Sequence, residues 1–256
     1  MSFVWGVFAT SLVGMYAHKK RSLNPSGILA ALVVGTIIWG MAGPYAYFIL
    51  MFFFFSSSLI NLFEKDKTPS YRNAWQVFAN AGVGTLMAIA YGLTDHDVYF
   101  ALYIASIGVS ACDTWSSEIG KRSIKPPIHI FTFKPMTVGL SGAVSLKGLV
   151  AALSASFIFG FFAWIALSQW LLIVLVGFFS FFGSIIDSML GVIQVKYQHS
   201  ATHLLTELKS EQTLYASGLR WLDNNAVNFL ANVTTVLLMS FFIFWRYGVF
   251  FYTKKP

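Results

Sequence analysis

Apolar stretches of membrane-spanning length follow one another along most of the chain, separated by polar loops, and no other feature constrains the fold so strongly. The hydrocarbon core of a bilayer asks for roughly 20 apolar residues per helical span. Eight stretches meet or approach that length: 3–17, 28–43, 44–63, 74–93, 98–112, 149–167, 170–190 and 226–247. Composition agrees, since 57% of the 256 residues are hydrophobic and 11% are charged. An ordinary soluble domain carries about a quarter charged residues. A soluble globular domain, a disordered chain and a secreted disulfide scaffold are thereby excluded. One cysteine, Cys112, allows neither an internal disulfide nor a cysteine-based zinc site. The first stretch lacks a basic start and a small-residue cleavage site, so it reads as a retained helix rather than a signal peptide. The expected fold is an all-α, polytopic transmembrane helical bundle of about eight spans, forming a single integral membrane domain over residues 1–256. In a prokaryotic cell its place would be the inner or plasma membrane.

Charge sets the expected orientation. The loops after spans one, three, five and seven hold Lys19, Lys20 and Arg21; Lys65, Lys67 and Arg72; Lys121, Arg122, Lys125, Lys134 and Lys147; and Lys196, Lys209 and Arg220. Fourteen of the 17 basic residues lie there, and Arg246, Lys254 and Lys255 close the chain. By the positive-inside rule these loops are cytoplasmic and the amino terminus is outside. The net charge of +7 is thus mostly topology. Basic residues dispersed among membrane loops do not make a nucleic-acid surface, and no nucleic-acid partner is expected.

The two halves of the chain, 1–93 and 98–256, echo each other. Span two opens Gly27-Ile28-Leu29-Ala30-Ala31-Leu32 and span six Gly148-Leu149-Val150-Ala151-Ala152-Leu153. Phe52-Phe53-x-Phe55-x-x-Ser58-Leu59-Ile60-Asn61 in span three matches Phe178-Phe179-x-Phe181-x-x-Ser184-Ile185-Ile186-Asp187 in span seven. Arg72 precedes Asn80 by the spacing at which Arg220 precedes Asn228. Chance matching of Phe, Ala and Leu competes with duplication here. Duplication with four spans per half would give parallel repeats about an axis along the membrane normal.

Polar side chains within the spans are the chemical signal, because hydrocarbon leaves them no water to bond. Span five carries Ser106, Ser110, Asp113 and Ser117 on one helical face, and span seven carries Ser180, Ser184, Asp187, Gly191 and Gln194. Span four presents Asn73, Gln76, Asn80 and Gly84; span eight presents Asn225, Asn228 and Asn232. These four helices are expected to line one polar cavity open to the cytoplasm. Interhelical hydrogen bonding accounts for Ser and many Asn residues. It accounts poorly for Asp113, Glu118 and Asp187, each of which needs a cation or a proton.

Between spans five and six, Asp113-Thr114-Trp115-Ser116-Ser117-Glu118 leads into Lys121-Arg122 and then a glycine-rich run through Gly139, Ser141, Gly142, Ser145 and Gly148. Carboxylates and hydroxyls followed by cations suit a magnesium–phosphate site, since magnesium takes hard oxygen ligands and uses one or two carboxylates. Glycines let backbone amides approach phosphate oxygens, with Lys134 and Lys147 offsetting charge. The same run also suits a positive-inside loop with turn glycines. Soluble nucleotide-binding motifs are absent. His199 and His203 stand four apart without the intervening glutamate of a zinc helix, and are expected as exposed residues of a loop helix.

The motifs Asp113-Thr-x-x-Ser-Glu118-x-Gly120, Pro135-x-x-x-Gly139-x-x-Gly142-x-x-Ser145-x-x-Gly148 and Gly183-Ser184-x-x-Asp187-Ser188-x-Leu190-Gly191-x-x-Gln194 resemble the transmembrane protein 19 family. That family includes the plant phytyl-phosphate kinase of tocopherol synthesis. Arg72-x-x-x-Gln76-Val77-x-Ala79-Asn80 and Asn224-Asn225-x-Val227-Asn228-Phe229 fit it too, while Leu140 stands where Thr or Glu is expected. The resemblance implies a prenyl-lipid kinase that transfers a phosphoryl group from a nucleoside triphosphate, ATP or CTP, to an isoprenoid monophosphate. On that reading Asp113, Glu118 and Asp187 hold magnesium, and Lys134 and Lys147 share the catalytic work. Thr114, Ser117, Lys121, Arg122, Gly139, Ser141, Gly142, Ser145, Ser184, Ser188, Gln194, Asn80, Asn225 and Asn228 contact substrate or orient the groups that do. The alternative is a transporter or flippase of a polyprenyl phosphate or similar anionic lipid. It needs access from both faces, and the outer loops offer only Asp95, His96 and Asp97. A structural or assembly role would not need the clustered carboxylates. The oligomeric state leaves no mark in the sequence.

Overall fold

A computed structural model describes residues 2–62 and 71–247. Lys65, Lys67, Lys254 and Lys255 lie outside the described residues. The helices are α1 (Ser2–Lys19), α2 (Pro25–Leu62), α3 (Ala74–Thr94), α4 (Asp97–Gly120), α5 (Leu146–Leu167), α6 (Leu171–Ile193) and α7 (Asn224–Tyr247). Short strands β1 (Ile128–His129) and β2 (Ala143–Val144) pair antiparallel, and β3 (Lys196–His199) pairs on either side with β4 (Leu205–Thr206) and β5 (Thr213–Ser217). The protein is an all-α multi-pass membrane bundle with small sheets at one end.

Helix α2 covers two of the expected spans and doubles back between them. Gly43 takes φ 83° and ψ 178°, a conformation only glycine adopts readily, and Pro44 starts the second half. The Trp39 and Tyr47 rings lie 5.1 Å apart, whereas residues eight apart in a straight helix are separated by about 12 Å along the axis. Both ends of the hairpin sit at the same end of the bundle: Asn24 N–H donates to Arg72 O, and Ile60 O accepts from Arg122. The eight apolar stretches thus correspond to α1, the halves of α2, and α3 to α7. By length and apolarity, six of the helices qualify as spans, and α1 is not among them, so a count of eight is approximate.

Helix α4 is the centre of the bundle, with every residue from Phe100 to Cys112 buried and α2, α3, α5, α6 and α7 packed around it. It continues through Asp113 to Gly120, beyond the apolar stretch 98–112, because its last two turns face a polar cavity rather than lipid. Close packing of α4 on α5 explains two of the motif glycines, Gly120 and, from the expected phosphate run, Gly148. A Cβ on Gly148 would meet Ser116 O at 2.8 Å, and one on Gly120 would meet Ser145 Oγ at 3.0 Å. Gly148 therefore serves helix contact.

Alternating helix directions gather the loops after α1, α2, α4 and α6 at one end, and these hold the described basic residues of the alternate loops. The turns at Gly43, Asp95–His96 and Ser168–Trp170 form the other end. His199 and His203 lie on and after β3 in the outer sheet, where His199 Nε2 meets Gln212 Oε1 at 3.2 Å. A three-stranded sheet stands there instead of the expected loop helix.

Candidate functional site

At the basic end of the bundle a cavity of about 360 Å³ enters between the helices. One side is apolar, from α1, α2 and α3: Val13, Gly14, Ala31, Val34, Leu50, Met51, Phe53, Phe54 and Val77. The other side is polar, from α4, α6, the start of α7, the loop before α5 and the connection after β4: Asp113, Thr114, Ser116, Ser117, Glu118, Lys121, Ser141, Ser145, Asp187, Ser188, Glu207, Asn224 and Asn228. Arg72, Gln76 and Asn80, at and after the start of α3, add polar groups to the wall.

The carboxyl groups of Asp113 on α4 and Asp187 on α6 are neighbours at the cavity. Two neighbouring carboxyl groups are held together at low cost only with a shared proton or a cation. Deeper in the bundle the polar stripes close on themselves. Ser106 Oγ donates to Asn232 Oδ1 at 2.7 Å, Asn232 Nδ2 to Ser110 Oγ at 3.1 Å, and Ser110 Oγ to Asn80 O at 2.7 Å. Asn228 Nδ2 approaches Asn80 Oδ1 at 3.5 Å. Each stripe therefore does two things: its inner residues join helices, and its outer residues face the cavity.

Local folding places the rest. Asn73 and Gln76 form a reciprocal cap that starts α3, each side chain accepting from the other's backbone N–H at 3.0 Å. This fixes the preceding Arg72, whose backbone also pairs with Ser22 and Asn24. Burial lowers the Arg72 guanidinium from its ordinary pKa, and nearby Glu118 opposes that shift. Glu118 itself pairs with Lys121 at 3.1 Å, while its Oε2 is buried without a partner among the described residues. Ser145 caps α5 by accepting from Gly148 N–H at 3.1 Å and also lines the cavity.

The loop before α5 turns at Gly139 (φ 89°) and Gly142 (φ 86°). Between them Ser141 meets the carboxylate of Glu207, which accepts from its backbone N–H at 2.5 Å and from its Oγ at 3.1 Å. Sequence reasoning missed Glu207 because it lies in a polar connection outside the spans and outside every motif. Arg72 stood in the sequence only as a motif residue and a loop cation, while Gln76 stood on the polar stripe expected to line the cavity.

Other expected site residues are not on the cavity wall. Lys134 is exposed beside β1, its carbonyl accepting from His129 N–H, and Lys147 Nζ donates to Arg122 O at 3.3 Å. The Arg122 guanidinium donates to Ile60 O at the end of α2. Ser184 bonds Phe181 O within its own helix, and Asn225 lies off the wall. Gln194 is 1% exposed, with both amide atoms unpaired among the described residues.

For magnesium, the donor set narrows. Among the described residues no three His, Cys, Asp or Glu side chains converge into a metal cluster. Five residues along a helix turn Glu118 roughly 140° away from Asp113, which undoes the expected trio. Asp113 and Asp187 remain, and two carboxylates with phosphate and water oxygens are an ordinary magnesium environment. The pair fits the ion.

The fold and this cavity define a multi-pass integral membrane protein with a largely buried acid pair on a cavity set among lipid-length helices. Residues 8–236 match the family described as integral membrane protein DUF92, and the chain belongs to that family. Protein PGR of Arabidopsis thaliana is 34% identical over 93% of this chain and 94% of its own length. Protein VTE6, chloroplastic, of the same plant is 25% identical over 86% of this chain and 66% of its own. Uncharacterized membrane protein MJ0933 of Methanocaldococcus jannaschii is 29% identical over 71% of this chain and 79% of its own. No solved structure matches the chain.

Proposed function

We propose that the protein is a membrane-embedded kinase that transfers the terminal phosphoryl group of a nucleoside triphosphate to an isoprenoid monophosphate. One observation carries the reading: a single cavity joins a paired acid and cations to an apolar slot between α1, α2 and α3. That division matches an amphiphile with a phosphate head and a hydrocarbon tail. The tail would lie against Val13, Ala31, Val34 and Phe53, with the head toward Arg72 and Lys121.

The acceptor is already an anion, so no side chain need act as nucleophile or remove a proton. An acceptor phosphate oxygen bonds to the terminal phosphorus as the bond to the leaving nucleoside diphosphate breaks. The protein's contribution is positioning and charge stabilisation. Arg72 and Lys121 draw the phosphates together and offset charge on the transferred group. Ser117, Ser141 and Ser188 offer hydroxyls, and Asn80 and Asn228 fix the cavity floor through their contact with each other. Magnesium held by Asp113 and Asp187 would neutralise phosphate charge. The apolar wall keeps the reacting phosphates from bulk water on one side.

Purified protein in detergent, given magnesium, a panel of nucleoside triphosphates and prenyl monophosphates, should form the prenyl diphosphate. Absence of turnover with every pair, alongside movement of prenyl phosphate across reconstituted vesicles, would establish the transporter reading instead.

A further inference from the structure

We propose that the Gly139–Gly142 loop is a phosphate seat and that Glu207 occupies it as a built-in competitor, leaving when a phosphate arrives. The proposal rests on the kinase reading for the identity of the substrate, but not for its test.

The seat has the parts an anion needs. Positive φ at Gly139 and Gly142 curves the loop, and the Ser141 N–H and hydroxyl both point to one acceptor, the Glu207 carboxylate. Backbone concavities of this kind bind anions, and charge-assisted bonds to them are the stronger class. The loop is clamped on the last turn of α6: a Cβ on Gly142 would meet Val192 Cγ2 at 2.6 Å, and one on Gly191 would meet Ser141 Cβ at 2.6 Å. Gly191 lies one helical turn beyond Asp187, so the seat stands beside the acid pair. A carboxylate bound there is a stand-in for one face of a phosphate.

Two features make Glu207 an occupant that can be displaced. Its charge faces the same cavity as Asp113 and Asp187, and like charges there repel. The nearby ammonium of Lys196 offsets that charge only in part, since it is tied to Gly191 O at 3.1 Å and Val192 O at 2.8 Å rather than to the carboxylate. Around Glu207 the chain is thinly packed, with Leu204, Leu205 and Leu208 exposed. Segments with so few buried contacts open at low free-energy cost. A phosphate would take over the Ser141 donors and bring its own bonds to the cavity cations, while Glu207 regains water.

The test uses the full chain in detergent and inorganic pyrophosphate, with binding measured by calorimetry rather than turnover. Glu207→Gln keeps the size of the side chain without its charge; Glu207→Ala removes the contact. Both should bind pyrophosphate more tightly than the wild type by roughly ten-fold, about the value of one charge-assisted hydrogen bond. Pyrophosphate should also speed tryptic cleavage after Lys209 in the wild type and leave an already fast rate unchanged in Glu207→Ala. Misfolding cannot produce tighter binding, so the gain is diagnostic. Unchanged, weakened or absent binding in both variants, or protection of Lys209 by pyrophosphate, overturns the proposal. Failure of the kinase assay alone would leave this result standing.

Discussion

Asp113 on α4 and Asp187 on α6 bring their carboxyl groups together at the cavity, though the loop carrying β1 and β2 and the whole of α5 separate them in the chain. Helices need no such pair to pack: Ser106, Ser110, Asn80 and Asn232 already join α3, α4 and α7 with neutral hydrogen bonds. Buried carboxyls facing each other impose an electrostatic cost that a cation relieves. On the proposed reading, the pair marks where the bundle serves chemistry.

The apolar slot should set chain length. Ala31 lines it on the first half of α2, so Ala31→Phe should fill its inner part. The variant should raise KM for fifteen- and twenty-carbon monophosphates while leaving five- and ten-carbon ones close to wild type. Equal effects on all lengths would place the tail elsewhere.

Arg72 and Arg220 hold matching sequence positions, but only Arg72 lines the cavity; Arg220 stacks on Tyr215 at 4.6 Å in the outer sheet. Arg72→Gln should raise KM for the phosphorylated acceptor about ten-fold or more, as expected for one lost charge-assisted bond. Arg220→Gln should not. Steady-state kinetics of the two variants side by side decides the point.

Much of this was legible in the sequence, and the rest was hidden for definite reasons. Apolar length located the helical segments, and polar stripes named α3, α4, α6 and α7 as lining helices, though not α1 and α2, which supply much of the apolar wall. Asp113 and Asp187 stood out because carboxyls in spans have no cheap alternative. The α2 hairpin was legible as two adjacent apolar stretches meeting at Gly43-Pro44. Glu207 was not, because its role depends on a fold-back of the β3–β5 sheet onto the loop before α5. Nor could sequence separate the glycines that admit a neighbouring helix, such as Gly148, from those that turn a loop, such as Gly142. Lys134 and Lys147 carried the right charge in the right loop but point away from the cavity wall.

Asn232 tests the division of labour within the stripes. Asn232→Leu deletes its bonds to Ser106 and Ser110 and should cost roughly 1–2 kcal/mol of stability, the range of such bonds between membrane helices. It should keep most of its turnover. Thermal melting in detergent together with kcat tests this, and a stable but inactive variant would contradict it.

Orientation can be read by labelling. Cys112 is fully buried against Ala152 and Ala155, so a Cys112→Ser background with Ser123→Cys carries one accessible thiol. An impermeant reagent should reach it only after the membrane is opened. Ready labelling in intact cells would put the cavity on the outer face, away from nucleotide.

The most direct measurement is prenyl diphosphate formation by Asp113→Asn and Asp187→Asn, each compared with wild type in melting temperature and magnesium dependence. Asparagine keeps the shape and a hydrogen bond but removes the charge, so both variants should insert and melt close to wild type. Magnesium-dependent turnover should fall on the order of 10²–10³-fold in each, the scale of losing one electrostatic group at a transition state. Full turnover in either variant would show that the pair only joins α4 to α6, and would contradict the account at its centre.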